Sequence, residues 1–322
     1  MRGYGARHFG AGIALALAVL GLAGRAEAAE RLRAVATFSI LGDLVRQVGG
    51  ERVEVATLVG PDADAHGYSP APGDGRILSR AEIVFVNGLG FEGWLDRLIR
   101  ASGAKAPVVV AANGVRTIAT RHDHAGDHGH AHAGEAEAGA DPHADPHADP
   151  HAWQSIANAK VYVANIRDGL AKADPAHAED FSRNAAAYLA KLDALDGEVR
   201  AAIAAIPPEH RRVITTHDAF GYFGAAYGLR FIAPQGVANE SEASPRSVAR
   251  IIRQIRQEQV PAVFLETIAD PRLMEQIARE SGAKIGGRVY SDALSGPSGP
   301  APTYLDMMRS NLREFSAALG RG

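Results

Sequence analysis

Histidine is concentrated in one acidic stretch of this chain, from His122 to Trp153, which holds eight of the thirteen histidines. Asp and Glu lie between the histidines, and the stretch has neither Lys nor Arg nor an apolar periodicity. This composition is typical of a flexible segment that binds divalent metal, although a solvated linker can look similar. Seven of its side chains are candidate weak metal ligands: His122, His124, His128, His130, His132, His143 and His147.

The His-rich tract (residues 122–149) contains two Asp-Pro-His copies, with His143 and His147, and a third copy begins at its last residue and supplies His151. Because the copies are identical, the choice of a fixed metal ligand among them is ambiguous in principle. Only the last copy continues directly into Ala152-Trp153 and a segment with the pattern of ordered structure. We therefore predict that His151 has a fixed position and that the other two belong to the tract.

Three further side chains that can bind metal, His66, His217 and Asp292, each follow a predicted β-strand. Open α/β sheets form their binding sites beyond the carboxyl ends of the strands, so these residues and His151 can converge on one ion. Three imidazoles and one carboxylate suit tetrahedral Zn²⁺. A zinc hydrolase would instead need an open coordination position and a general base. Four protein ligands therefore favour binding over catalysis.

Residues 1–28 are typical of a secretory signal, since Arg2 and Arg7 precede an apolar run and Ala26-Glu27-Ala28 is a small-x-small cleavage site. We expect the mature protein in the periplasm. The chain has no cysteine, so we expect neither disulfides nor an N-terminal lipid anchor. The net charge of −3 and the lack of a basic stripe argue against a nucleic-acid partner.

Strand-like and helix-like segments alternate along the mature chain, which predicts parallel βαβ units and doubly wound sheets. The length suits two α/β lobes, which we place at residues 29–172, including the tract, and 209–322. Residues 173–208 carry a helical pattern long enough to join the lobes as a single stiff helix. Each lobe supplies two of the four candidate ligands, so we expect the metal in the interlobe cleft.

One motif points to a different class of protein. Residues 88–93 read Gly-Leu-Gly-Phe-Glu-Gly, a G-x-G-x-x-G after a strand and before a helix, as in a dinucleotide site. Such a site also needs an acidic residue at the end of the next strand, but that strand ends in Ala111-Ala112-Asn113. We therefore expect the glycines to form a tight turn.

Several segments together resemble the cluster A-I metal-binding proteins, the solute-binding subunits of zinc and manganese ABC importers. The similarity covers essentially the whole mature chain. Its segments are Asp64-Ala-His66 with Tyr68, Asn87-Gly-Leu-Gly-Phe-Glu92, His151-Ala-Trp153 with Asn158-Ala-Lys160, Thr216-His-Asp-Ala-Phe-Gly-Tyr222, Phe264-Leu-Glu266 and Tyr290-Ser-Asp-Ala-Leu294. The resemblance implies two α/β lobes joined by one long rigid helix, with the metal between them. Its four ligand positions fall on His66, His151, His217 and Asp292.

The resemblance also implies a function: a monomeric periplasmic protein, not an enzyme, that binds Zn²⁺ with high affinity and delivers it to the permease of an ABC importer. Manganese members of the class carry a carboxylate at the third ligand position, so His217 favours zinc. Manganese transport, a periplasmic zinc hydrolase and a surface adhesin are the alternatives. Glu266 and Asp218 are candidate partners of the ligand imidazoles. A periplasmic metal-donor protein that docks on the tract is a candidate second partner.

Overall fold

The computed structural model describes residues 31–120, 148–238 and 243–320. The predicted signal, residues 1–28, and the tract up to His147 lie outside these described residues. Within them the chain forms two α/β lobes, each built on a parallel sheet. None of the helices in the described ranges is both long and apolar enough to cross a membrane.

The sheet of the N-terminal lobe has the strand order β2-β1-β3-β4, with all described strands parallel. The elements of this lobe are β1 (Leu32–Phe38), α1 (Ser39–Gly49), β2 (Val53–Val59), α2 (Pro72–Ser79), β3 (Ile83–Val86), α3 (Leu95–Ser102), β4 (Val108–Val110) and α4 (Ile156–Ala173). Residues 34–38 of β1 are buried without interruption, as in a parallel strand that is covered on both faces. Helix α1 ends before Gly50, whose φ of +54° favours glycine.

The C-terminal lobe repeats this strand order as β6-β5-β7-β8. Its elements are β5 (Arg212–Ile214), α6 (Gly221–Tyr227), β6 (Arg230–Ile232), α7 (Pro245–Glu258), β7 (Ala262–Glu266), α8 (Arg272–Ser281), β8 (Lys284–Val289) and α9 (Tyr304–Leu319). Helix α7 begins where Ser244 accepts the backbone N–H of Ser247 and Pro245 takes the first helical position. In both sheets the strand order reverses beside the first strand, which is where open α/β sheets form a binding crevice.

Helix α5 (Ala178–Ala204) joins the lobes, and its 27 residues reach about 40 Å. Its buried side chains recur at helical spacing: Phe181, Ala185, Tyr188, Leu192, Leu195, Val199 and Ile203. It packs against α1 and α4 of the N-terminal lobe and against α9 of the C-terminal lobe. The predicted long helix is therefore confirmed, and it is a packed part of both lobes. The domain limits at 29–172, 173–208 and 209–322 stay a prediction.

Two elements differ from the sequence-based expectation. The pattern did not indicate α2, because Gly73 and Gly75 weaken its helical propensity, yet Asp74 stabilises its start by accepting the backbone N–H of Ala71 at 2.7 Å. Helix α3 begins at Leu95, whereas the helical pattern in the sequence begins at Glu92. The Glu92 carboxylate instead accepts the backbone N–H groups that precede it and closes the turn before the helix.

Candidate metal centre

Four side chains meet between the two lobes: His66, His151, His217 and Asp292. His66 lies on the loop after β2, and His151 directly precedes a short 3₁₀ helix (Ala152–Gln154) that leads into α4. His217 follows β5, and Asp292 follows β8. The structure thus brings together the four ligands predicted from the sequence, two from each lobe.

The potential ligand atoms are spaced as in a small coordination polyhedron. The Nε2 atoms of His66 and His151 are 3.1 Å apart, and Nε2 of His217 lies 3.1 Å from Oδ2 of Asp292. Asp292 Oδ2 is 3.4 Å from Nε2 of His66, and Asp292 Oδ1 is 3.5 Å from Nε2 of His151. Ligands that bind Zn²⁺ tetrahedrally at its usual bond lengths are about 3.3–3.4 Å apart. The spacing therefore fits one ion of this size.

Both carboxylate oxygens of Asp292 face imidazoles of the cluster. The residue is fully buried, and its Oδ1 atom has no hydrogen-bond partner among the described residues. A buried carboxylate oxygen that accepts no hydrogen bond is destabilising, and a bound cation removes that penalty. Asp292 can therefore supply one or two ligand atoms, which gives a four- or five-coordinate site.

Solvent reaches this cluster through one ligand. The side chain of His66 is 8% exposed, whereas those of His151, His217 and Asp292 are 0% exposed. An ion bound among these groups would have little contact with bulk water.

The charges of the cluster are strongly coupled. Burial alone would lower the pKa of His151, but the carboxylates of Asp292 and Asp149 outweigh it and raise this pKa to about 9. Burial also opposes protonation of His217, yet Glu266 and Asp292 raise its pKa well above the usual range. Burial would raise the pKa of Asp292, but His217 and His151 hold it well below its usual range. Without metal, imidazolium protons supply the positive charge that a cation would otherwise bring.

A buried carboxylate lies behind each of two ligand imidazoles. Asp149 Oδ1 lies 2.7 Å from Nδ1 of His151 and accepts the backbone N–H of that residue at 2.9 Å. Glu266 Oε2 lies 2.5 Å from Nδ1 of His217, a close ion-pair contact rather than an aligned hydrogen bond. Glu266 Oε1 accepts the backbone N–H groups of Thr216 and His217 at 2.7 and 2.9 Å. Such partners orient the rings so that the Nε2 atoms point into the cluster, where an ion would bind.

The two carboxylates singled out from the sequence as partners of the imidazoles lie in different places. Glu266 contacts the ring of His217, as described above. Asp218 is half-buried, and its backbone N–H donates to the carbonyl of Gly236 at 2.9 Å. A role for Asp218 toward the imidazoles stays a prediction.

Asp149 is a site residue that sequence reasoning missed, because it was counted as the end of the tract. A signal was nevertheless present. Asp64-Ala-His66 and Asp149-Pro-His151 share the pattern Asp-x-His, and in both the aspartate accepts the backbone N–H of the histidine at 2.9 Å. This local turn is typical of Asp, and it fixes the direction in which the histidine leaves the backbone.

Aromatic rings pack around the imidazoles of the N-terminal lobe. The ring centroid of Phe91 is 4.6 Å from that of His66, edge to face, and 4.9 Å from that of Trp153. Trp153 in turn lies 5.3 Å from the ring of His151. Phe91 belongs to the glycine-rich segment 88–93, in which Gly88 has a φ of +84°. The segment is a tight turn, as expected, and it places Phe91 against a candidate ligand.

The other histidines in the described ranges lie apart from the cluster. Nδ1 of His177 is 2.6 Å from the carboxylate of Asp174, and Nδ1 of His210 is 3.1 Å from the carbonyl oxygen of Leu319. The seven tract histidines fall outside the described residues, so metal binding by them stays a prediction.

A model of the family described as zinc-uptake complex component A, periplasmic, matches residues 34–318. The chain belongs to this family. The match spans both lobes and the helix between them, and it confirms the resemblance found in the sequence. The protein is accordingly a periplasmic, metal-binding solute-binding protein of an ABC importer and not an enzyme, which excludes the hydrolase alternative.

Curated relatives and solved structures agree on this class but differ in the metal that they name. The iron-binding protein YfeA of Yersinia pestis is 31% identical over 92% of this chain and 88% of its own. The manganese-binding lipoprotein MntA of Halalkalibacterium halodurans is 32% identical over 92% of both chains. The periplasmic zinc-binding protein TroA of Treponema pallidum has a TM-score of 0.80 at 27% identity, with 91% of this chain and 100% of that chain covered. These names do not identify which metal this chain binds.

Proposed function

We propose that this protein captures Zn²⁺ in the periplasm with high affinity and delivers it to the permease of an ABC importer. The observation that carries the choice of zinc is His217, a fully buried third imidazole in contact with Glu266. It gives the site three nitrogen ligands and one carboxylate. Zn²⁺ accepts such a nitrogen-rich set readily, whereas Mn²⁺ favours carboxylate, carbonyl and water oxygens.

Manganese is the second candidate, and one observation favours it. Both oxygens of Asp292 face the cluster, so a five-coordinate site with two carboxylate oxygens is available. Such a site is closer to the oxygen-rich set that suits Mn²⁺. Some relatives are also named for manganese, MntA among them.

A competition titration distinguishes these two candidates. Metal-free protein is titrated with Zn²⁺ and with Mn²⁺ against a chelator of known affinity, and His177→Ala serves as the control, because His177 lies outside the cluster. Zinc binds more tightly than manganese at almost any such site, so displacement alone does not decide. We expect one tight zinc site and a preference for zinc over manganese that narrows in His217→Glu. An unchanged preference in His217→Glu would show that His217 does not select zinc. Free zinc at a hundred times its dissociation constant should raise the free energy of unfolding by about 2.7 kcal/mol. Manganese that stays bound against equal free zinc would transfer the assignment to manganese.

Delivery is tested with the importer reconstituted in vesicles. We expect the zinc-loaded protein, added as a monomer, to stimulate ATP hydrolysis and zinc uptake, and His217→Ala to support neither. Tight zinc binding without any effect on the importer would contradict delivery and leave capture intact.

A further inference from the structure

Tyr222, on helix α6 of the C-terminal lobe, contacts the chain segments on both sides of the His-rich tract. Its side chain is 3% exposed. The hydroxyl donates a hydrogen bond to the carbonyl of Asp149 at 3.0 Å and accepts one from the backbone N–H of Ile118 at 3.3 Å. One hydroxyl therefore holds together two segments that are about thirty residues apart in the sequence and that belong to the other lobe.

These two segments form what we call the neck of the tract, residues 118–119 on the way in and 148–149 on the way out. Ala119 and Ala148 form an antiparallel bridge, and the backbone N–H of Asp149 donates to the carbonyl of Ile118 at 2.8 Å. The same Asp149 orients the candidate ligand His151 through its side chain. The backbone that Tyr222 holds is therefore the backbone that sets the position of this carboxylate.

Gly221, the residue before Tyr222, packs too closely against the neck for a side chain to fit. A Cβ atom at Gly221 would lie 2.6 Å from Oδ2 of Asp149 and 3.1 Å from Cδ1 of Ile118. Any larger residue at this position would displace the carboxylate or the helix. The start of α6 is thus fitted to Asp149, with Gly221 supplying the space and Tyr222 the hydrogen bonds.

We infer that Tyr222 is a positioning residue for metal binding, which acts across the lobe boundary through Asp149 on His151. The inference rests on the proposed function, because it requires that His151 binds the metal. It implies that docking of α6 on the neck and binding of an ion in the cleft stabilise each other.

The direct test is Tyr222→Phe, which removes the hydroxyl and keeps the ring. Tyr227→Phe is a matched control, because Tyr227 lies on the same helix, is also buried and donates its hydroxyl to Asp196 on α5 at 2.8 Å. We expect Tyr222→Phe to weaken zinc binding roughly two- to tenfold, the equivalent of one ordinary hydrogen bond. Tyr227→Phe should bind zinc like the parent.

A double-variant series tests the route through Asp149. Asp149→Ala should weaken zinc binding roughly 10–100-fold, as loss of an outer partner of a metal-bound histidine usually does. In that background Tyr222→Phe should cause no further loss, and neither should Gly221→Ala, although each weakens binding alone. A loss from Tyr222→Phe that is equally large with and without Asp149 would overturn the inference.

Amide hydrogen exchange provides a readout that needs no metal. The N–H of Ile118 loses its acceptor in Tyr222→Phe, so it should exchange faster in that metal-free variant and at the parental rate in Tyr227→Phe. Unchanged exchange at Ile118 would overturn the inference. If the parent binds no metal, the proposed function fails. If the parent binds zinc tightly and Tyr222→Phe binds it equally well, only the inference fails.

Discussion

Each lobe places a buried carboxylate behind one candidate ligand imidazole, Asp149 behind His151 and Glu266 behind His217, but the lobes differ in the other contacts that hold these side chains. In the N-terminal lobe, His66 lies against the ring of Phe91, and His151 lies against that of Trp153. In the C-terminal lobe, the ligand loop after β5 is held by Glu266, a buried carboxylate that accepts two of its backbone N–H groups. Aromatic packing fixes where a ring lies but contributes no net charge, whereas a buried carboxylate both orients an imidazole and stabilises positive charge.

This difference teaches that carboxylate contacts and aromatic contacts contribute separately to one site. We expect the carboxylate contacts, those of Asp149 in the N-terminal lobe and of Glu266 in the C-terminal lobe, to determine how tightly the ion is bound. The aromatic contacts of the N-terminal lobe should mainly determine the stability and shape of the pocket into which the ion fits.

Removal of a C-terminal ligand should have the largest effect. His217→Ala deletes one of four ligands, and because a structural zinc site is worth roughly 10–16 kcal/mol, we expect affinity to fall at least about a hundredfold. Chelator competition measures this loss, with His177→Ala as the unaffected control. Parental affinity in His217→Ala would show that the site lies elsewhere.

Zinc binding should release protons. The raised pKa values of His151 (about 9) and His217 predict that both side chains are in the imidazolium form at pH 7 in the metal-free site. Protons compete with metal at any pH below these values, so affinity should rise with pH, by about one log unit per pH unit for each proton displaced. Calorimetry at pH 7 in buffers of different ionisation enthalpy counts the protons. Heats that do not depend on the buffer would contradict the expectation.

Glu266→Gln tests the carboxylate of the C-terminal lobe. Glutamine can still accept backbone N–H groups, so the loop keeps its shape while the charge against His217 is lost. We expect zinc affinity to fall roughly 10–100-fold. Glu258→Gln is a control in the same lobe, since Glu258 pairs with Arg212 at 3.1 Å and not with a ligand. If both variants bound zinc with equal affinity, the Glu266 carboxylate would not contribute to zinc binding.

Phe91→Leu tests the aromatic packing of the N-terminal lobe. The ring contacts of Phe91 are worth roughly 0.5–1.5 kcal/mol each, so thermal stability should fall while zinc affinity falls less than in Glu266→Gln. Melting curves and the chelator titration report the two quantities separately. If Phe91→Leu cost more affinity than Glu266→Gln, the roles assigned to the aromatic and the carboxylate contacts would be reversed.

Deletion of residues 122–147 should have the smallest effect on the tight site. The bridge between Ala119 and Ala148 holds the chain ends of the tract together, so a short turn can replace it. We expect one tight zinc to remain and additional weak sites to disappear, because the composition of the tract predicts weak binders, whose ordering around an ion would cost roughly 1–2 kcal/mol per residue. Equilibrium dialysis counts the bound ions. Loss of the tight site would contradict His151 as the second ligand.

The sequence predicted the features that arise from short segments of the chain. Periodic patterns located most strands and helices, and the strand ends located His66, His217 and Asp292. The sequence pattern does not predict helix α2, because Gly73 and Gly75 obscure it, and it predicts a helical Glu92 although the carboxylate of that residue closes the turn before α3. In both cases local contacts outweigh helix propensity.

The partners of the ligands were harder to predict, because they depend on segments far apart in the chain. In the sequence, Asp149 is one of many acidic residues of the tract. Its role is visible only in the structure, where the neck places it against His151. Phe91 reads as part of a glycine motif, and the role of Tyr222 needs both lobes in place. Single-sequence patterns report which face of an element is apolar but not which distant residue meets it.

Only His66 reaches the surface among the four ligands, and it does so barely. A water molecule or a chelator must reach the ion before it can displace a ligand, and this cleft offers almost no path for either. We therefore expect a bound ion to leave slowly, because its release requires both a path to solvent and the breaking of bonds to ligands from two lobes. We expect such a site to keep its ion in the presence of competing binders in the periplasm, so that retention and not only affinity protects the cargo.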